Sequence, residues 1–209
     1  MLELATKKAR KIRLSEYNLR QFLNETFSEV AQNYGLNGTQ FQSRAKYMGD
    51  AFEACFEVVM RHFFPEIEIR HNVELLEACL IGQGSADFVV YDRKNTEEGS
   101  GLIAVIEAKG SADHIIGSDR KTIKINRPGM MRTDTVKKAI CNAYQVSRVY
   151  PGALFFIVTS HKPLRGNARC MCELVEGDIV DKIVDVTVKE ELDEMVDLIQ
   201  RHARMSSAR

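Results

Sequence analysis

Hydrophobic and polar positions alternate at two different periods along this chain, and the change of period divides it. The first third reads as helix. One segment runs from about Leu14 to Tyr34 and ends at Gly35, and a second runs from about Gln40 to Phe64 and stops before Pro65. In the second, Phe52, Cys55, Phe56, Val59, Met60 and Phe63 fall on one stripe, the pattern of a helix laid on a core. A strand-rich stretch follows, over Glu68–Leu75, Ala86–Tyr91 and Leu102–Lys109. Between the last two lies Arg93–Gly101, polar and glycine-bearing, which predicts a hairpin loop. A helix is expected over Thr135–Val149, ended by Pro151 and Gly152. Then come a buried strand at Leu154–Thr159, a strand near Ile183–Val188 and a closing helix near 189–204. This order predicts an α/β fold, a mixed central sheet flanked by helices, with an N-terminal helical layer over residues 1–44 and the main domain over 45–209.

Composition narrows the class without naming it. Apolar residues make up 44% and charged residues 28% of 209, an ordinary balance for a folded domain. No apolar run is long enough to span a bilayer, so no membrane partner is expected. The basic N-terminus has no apolar stretch behind it and does not resemble a secretory signal, which predicts a cytoplasmic protein. The five cysteines, Cys55, Cys79, Cys141, Cys170 and Cys172, are odd in number and scattered, as reduced thiols are. Cys170 and Cys172 stand too close for a typical zinc pair.

Net charge is zero, but its distribution is uneven. From Gly117 to Lys138 there are seven cations against two acids; from Glu173 to Ile199 there are ten acids against Lys182 and Lys189. A neutral chain segregated in this way can present a basic face to phosphate, although each block is equally compatible with a solvated surface.

The chemistry concentrates at the end of Leu102-Ile-Ala-Val-Ile-Glu-Ala-Lys109. Five successive apolar residues mark a strand covered on both faces, and Glu107 and Lys109, two residues apart, project from one face of it. A hairpin centred near residue 97 makes residue i face residue 194 − i, which sets Asp87 across from Glu107. Directly opposed residues lie about 5 Å apart at Cβ. Two carboxylates that close repel unless a proton or cation lies between them. Hard oxygen donors favour Mg2+, with Mn2+ able to substitute, and a neighbouring lysine can orient or deprotonate an attacking water. The bland alternative is a surface ion pair between Glu107 and Lys109, with Asp87 capping a turn.

Ala86–Asp87, a nineteen-residue interval and Glu107-Ala-Lys109 together resemble the PD-(D/E)XK nuclease superfamily over roughly residues 45–160. The family pattern has Pro-Asp where this chain has Ala86–Asp87. The resemblance implies Asp87 and Glu107 as metal ligands, the Ala108 carbonyl as a further ligand, and Lys109 as the group positioning water. Many members add a glutamate from an upstream helix, and Glu53 and Glu57 are the candidates here. Glu53 lies at the edge of the apolar stripe and Glu57 farther round, so Glu53 is preferred. Gly49 ahead of it also matches the family's habit.

The DNA-facing candidates form three groups. The first is Arg44, Lys46, Tyr47 and Met48 at the start of the second helix, where Tyr47 or Met48 could wedge between bases. The second is Arg120, Lys121, Lys124, Arg127 and Arg132 in an expected loop near 111–134. The third is Lys162, Arg165, Asn167 and Arg169 in an expected loop near 160–170. Tyr144 and Gln145 on the later helix are weaker candidates. No GxxxxGK[ST] motif appears, so no nucleotide cofactor is expected. The resemblance points to a type II restriction endonuclease cutting double-stranded DNA, for which a palindromic site implies a homodimer. A Holliday-junction resolvase or repair nuclease of the same superfamily is the alternative within the class. A non-catalytic DNA-binding protein is the alternative outside it.

Overall fold

A computed structural model of the chain describes residues 1–36, 41–92, 101–116 and 121–206, with the side chains of all but 41–43 and 206 among them. Three helices open it: α1 (Leu2–Ile12), α2 (Leu19–Asn33) and α3 (Phe41–Phe63). Strands β1 (Ile69–Val73), β2 (Ala86–Tyr91) and β3 (Leu102–Ala108) follow, then β4 (His114–Ile116) and β5 (Thr122–Lys124). The chain closes with α4 (Thr133–Val149), β6 (Leu154–Thr159), α5 (Gly166–Val175), β7 (Lys182–Asp185) and α6 (Lys189–Ser206). No helix among the described residues is long and apolar enough to cross a membrane.

The main sheet has the order β1-β2-β3-β6-β7. β1, β2 and β3 form an antiparallel meander, whereas β6 and β7 run parallel to β3. A parallel neighbour needs a crossover, and α4 and α5 supply the two crossovers. This explains why β3 and β6 are nearly continuous apolar runs: both faces are covered.

The two faces build two cores. Phe88, Val90, Ala104, Ile106, Ala108, Phe156 and Val158 pack with α1, α2, α3 and α6, while Val89, Val105, Phe155, Ile157 and Ile183 pack with α4 and α5. The strict alternation along each strand assigns every residue of β2 and β3 to a face. Ala5, Phe22, Leu23 and Phe27 are buried in the same cluster as the sheet residues, so the N-terminal helices share the core of the main domain.

Three expectations change. α1 adds a helix to the N-terminal helical layer, ahead of the two helices read from the apolar pattern. The segment near 111–134 is largely built: β4 and β5 pair as a hairpin, and the backbone of Ile116 bonds to Ser28 and Gln32 of α2. The loop expected near 160–170 is shortened, because α5 begins at Gly166 and buries Ala168 and Cys172 against α4. The hairpin loop over 93–100 and Arg120 lie outside the described residues.

Candidate active site

The site stands on the β2–β3 ladder. Phe88 faces Ile106, Val89 faces Val105 and Val90 faces Ala104, so each pair sums as the hairpin geometry requires. One further step sets Asp87 opposite Glu107. A bulge between Val90 and Tyr91 shifts the register at the far end and leaves this end undisturbed. Because Val89 and Val105 face α4, so do Asp87, Glu107 and Lys109.

There the side chains converge. Lys109 Nζ donates to Asp87 Oδ2 at 3.0 Å and to the Ala108 carbonyl at 3.1 Å, and pairs with Glu107 Oε1 at 2.5 Å. The Ala108 amide donates to Asp87 Oδ2 at 2.7 Å, which fixes that carboxylate against the strand. Asn142 of α4 donates from Nδ2 to Glu107 Oε1 at 3.0 Å. Glu107 is only 3% exposed, and its Oε2 is buried with no hydrogen-bond partner. Burial raises the Glu107 pKa, with the Asp87 charge adding to it and Lys109 opposing. Burial alone would lower the pKa of Lys109, but the Glu107 and Asp87 carboxylates outweigh it and hold the ammonium well above its ordinary range. Lys109 is therefore a cation here, a donor of hydrogen bonds and not a free base.

Two carboxylate oxygens and one main-chain carbonyl thus gather around a single positive atom. They are the three groups expected to hold a metal, and they are hard oxygen donors of the class that Mg2+ takes. The unpartnered Oε2 of Glu107 is a buried lone pair that a cation would satisfy. These observations fit the expected ion. Among the described residues no three acidic, histidine or cysteine side chains cluster into a cage, so the donor set rests on the carbonyl as well.

Glu53 approaches from the other face. Gly110 makes this possible: a Cβ there would lie 2.1 Å from the Phe52 ring, so only glycine lets α3 cross the end of β3 so closely. Glu53 Oε2 bonds His71 Nε2 at 2.8 Å, and the His71 ring stacks on Phe88 with centroids 4.7 Å apart. The hydrogen bond to Glu53 raises the His71 pKa against the effect of burial. Glu57 is buried and paired with Arg61, so of the two candidates Glu53 is the one at the site.

A cleft of about 530 Å³ opens here. Ala108, Lys109 and Gly110 line it at the end of β3, with Arg44, Lys46, Asp50 and Glu53 from α3. Arg127, Arg132, Asp134 and Lys138 line it from the loop and the start of α4. Six cations face three acids, drawn from four separate stretches of sequence. Gly129, with φ +54°, holds the loop in place; a Cβ there would meet Thr159 Oγ1 at 2.8 Å and the Lys109 carbonyl at 3.2 Å.

Other candidates are placed elsewhere. Met48 lines the cleft but is 1% exposed and belongs to the core, and Tyr47 stacks on Tyr34 at 4.5 Å, so neither is free to wedge between bases. Lys121 and Lys124 are exposed on and beside the β4–β5 hairpin and do not line the cleft. Lys162 pairs with Glu191 of α6, and Arg169 pairs with Glu173 within α5. Arg165 and Asn167 are exposed at the start of α5, outside the cleft lining. Asn142 and His71 are absent from the sequence reading, and Lys138 enters it only as one of the seven cations of the basic stretch. Asn142 sits four residues before Val146 and three after Ala139, a polar group at the edge of the buried stripe of α4, and that was its signal. Tyr144, in contrast, is 57% exposed.

Comparison with protein-family models, with curated proteins and with solved structures finds no match.

Proposed function

We propose that this chain is a metal-dependent endodeoxyribonuclease of the type II restriction class, acting on double-stranded DNA in the cytoplasm as a homodimer. The observation that carries the reading is the convergence of Asp87 Oδ2, Glu107 Oε1 and the Ala108 carbonyl on one cation, Lys109, which with Ala108 lines a basic cleft. Bound Mg2+ would supply charge neutralisation and polarisation of the scissile phosphate. Asp87, Glu107 and the Ala108 carbonyl would hold it.

The remaining work falls to the chain itself. Lys109, kept protonated by its two carboxylates, gives all three of its donors to the groups that would hold the metal; with those acceptors taken by the ion, its ammonium would be free to hydrogen-bond the attacking water and offset charge developing on the phosphate. Asn142 keeps Glu107 in its rotamer, since a buried carboxylate with a single good partner would otherwise turn. Arg44, Lys46, Arg127 and Lys138 seat the phosphodiester backbone along the cleft.

The test is plasmid DNA incubated with Mg2+ and the full-length protein, repeated with Asp87→Ala. Discrete fragments that vanish in the variant support the reading. Cleavage confined to four-way junctions would replace the restriction class by a resolvase. Binding of DNA with no metal-dependent cleavage of any form would leave a non-catalytic DNA-binding protein.

A further inference from the structure

A second cationic depression lies between α1 and α3, away from the site above. Its floor is Ala9, Leu14 and Val58, and its rim carries Arg10, Arg13, Arg61 and His62. No acid lines it, and its volume is about 530 Å³, within the range of small-ligand sites. Ala9, Arg10 and Arg13 fall on one face of α1, and Val58, Arg61 and His62 on one face of α3, so each helix contributes a continuous strip. Of the four basic side chains, Arg61 has a carboxylate partner, Glu57. Arg10 and Arg13 have no ion pair among the described residues.

Arg13 is the unusual member. It ends α1 with φ 55°, in the left-handed region where glycine is the common cap. The cap is otherwise well formed, with the Leu14 amide on the Ala9 carbonyl at 2.9 Å and the Arg13 amide on the Arg10 carbonyl at 3.3 Å. Arg13 sets a long cationic side chain beside the Arg10 and Arg61 guanidiniums, and with only Arg61 held by a carboxylate the groove carries positive charge that an anion would offset. Guanidinium forks pair bidentately with phosphate as with carboxylate, three of them together suit a ligand of more than one negative charge, and the aliphatic floor suits an organic body.

The groove also faces away from the cleft. Gly49 lines the cleft and Val58 the groove, nine residues apart on α3, which is a turn of about 180° and about 13 Å along the axis. A duplex lying in the cleft therefore leaves this groove open to a separate ligand.

We propose that the α1–α3 groove binds an organic phosphate carrying at least two negative charges, its phosphates held by Arg10, Arg13 and Arg61 and its body over Ala9, Leu14 and Val58. The proposal is independent of the nuclease reading. The same chemistry can come from a free nucleotide or from a nucleic-acid end, and the geometry favours the free ligand.

The experiment is isothermal titration calorimetry on the full-length protein with ATP, with pyrophosphate and with a short blunt DNA duplex. Arg10→Ala and Arg13→Gly probe the groove, and Lys138→Ala is the control in the cleft. ATP should bind, more tightly than pyrophosphate, and lose about tenfold or more in affinity in each groove variant but not in Lys138→Ala. Arg13→Gly should melt no lower than the parent, which separates lost binding from lost fold. Absence of ATP binding, or equal binding by the groove variants, overturns the proposal. Duplex binding that weakens in the groove variants while ATP does not bind also overturns it, and would make the groove part of a nucleic-acid surface.

Discussion

Glu107 pays for its position in the fold. It is 3% exposed, one oxygen has no partner, and burial raises its pKa above the ordinary 4.5. A raised carboxylate pKa means that folding favours the protonated form. Its contribution to stability is present below about pH 4.5 and is lost as pH rises through the folded value. Glu107→Gln, fixed in the neutral state, is therefore expected to melt higher than the parent at neutral pH in EDTA. The gain should shrink as the pH falls toward 4, and calorimetry across pH reads it. A variant that melts lower at neutral pH would show that the Lys109 ion pair outweighs the burial. Mg2+ should raise the melting temperature of the parent and not that of the variant, because ligand binding stabilises only a competent site. Gly110 makes a different demand. Gly110→Ala drives a methyl into the Phe52 ring, itself 1% exposed, and should cost about 1–3 kcal/mol in urea denaturation. Unchanged stability would mean that α3 can lift off the end of β3.

At the scale of elements, the clearest dependence is of β3 on α4. Asn142 is the side chain through which that helix holds Glu107. Asn142→Ala should lower kcat by roughly 10- to 100-fold with little change in KM, the usual effect of removing a group that orients a ligand. Equal loss in KM would instead place Asn142 against the substrate. Most elements were legible because their period was clear. β2 and β3 are short apolar runs flanked by turn residues, and α3 has an uninterrupted apolar stripe. α1 was not legible: its sequence, LELATKKARKI, has five charged residues in eleven, and only Ala5, Lys8 and Ala9 are buried. Lys8 is buried against Glu25 and Glu29 of α2, a pairing that no local pattern announces. α5 was missed for a related reason, since it follows a stretch rich in cations, proline and glycine and buries only Ala168 and Cys172.

For the molecule as a whole, charge is zero in sum and sorted in space. If the cleft seats a duplex, affinity should fall with salt. Lys138→Ala should make the slope of log K against log salt shallower by about 0.9, the value for one phosphate contact. Lys162→Ala should leave the slope unchanged, because Glu191 already neutralises that charge. Filter binding across salt concentrations distinguishes the two, and equal slopes for Lys138→Ala and the parent would remove that lysine from the interface.

The division between what the chain alone determined and what the tertiary structure decided follows contact distance. The α/β class, the hairpin register and the pairing of Asp87 with Glu107 were determined by the sequence, because period and turn spacing are local properties. The choice of Glu53 over Glu57 could be approached from a helical wheel, but Gly110 and the packing of Phe52 place it. Which cations share the cleft was decided only in three dimensions. Arg44 lies far along the chain from Arg127 and Lys138, whereas Lys162, equally basic in sequence, is neutralised by Glu191, which folding brings to it. A charge carries no local sign of the partner it will meet, whereas an apolar period does indicate which face it will bury.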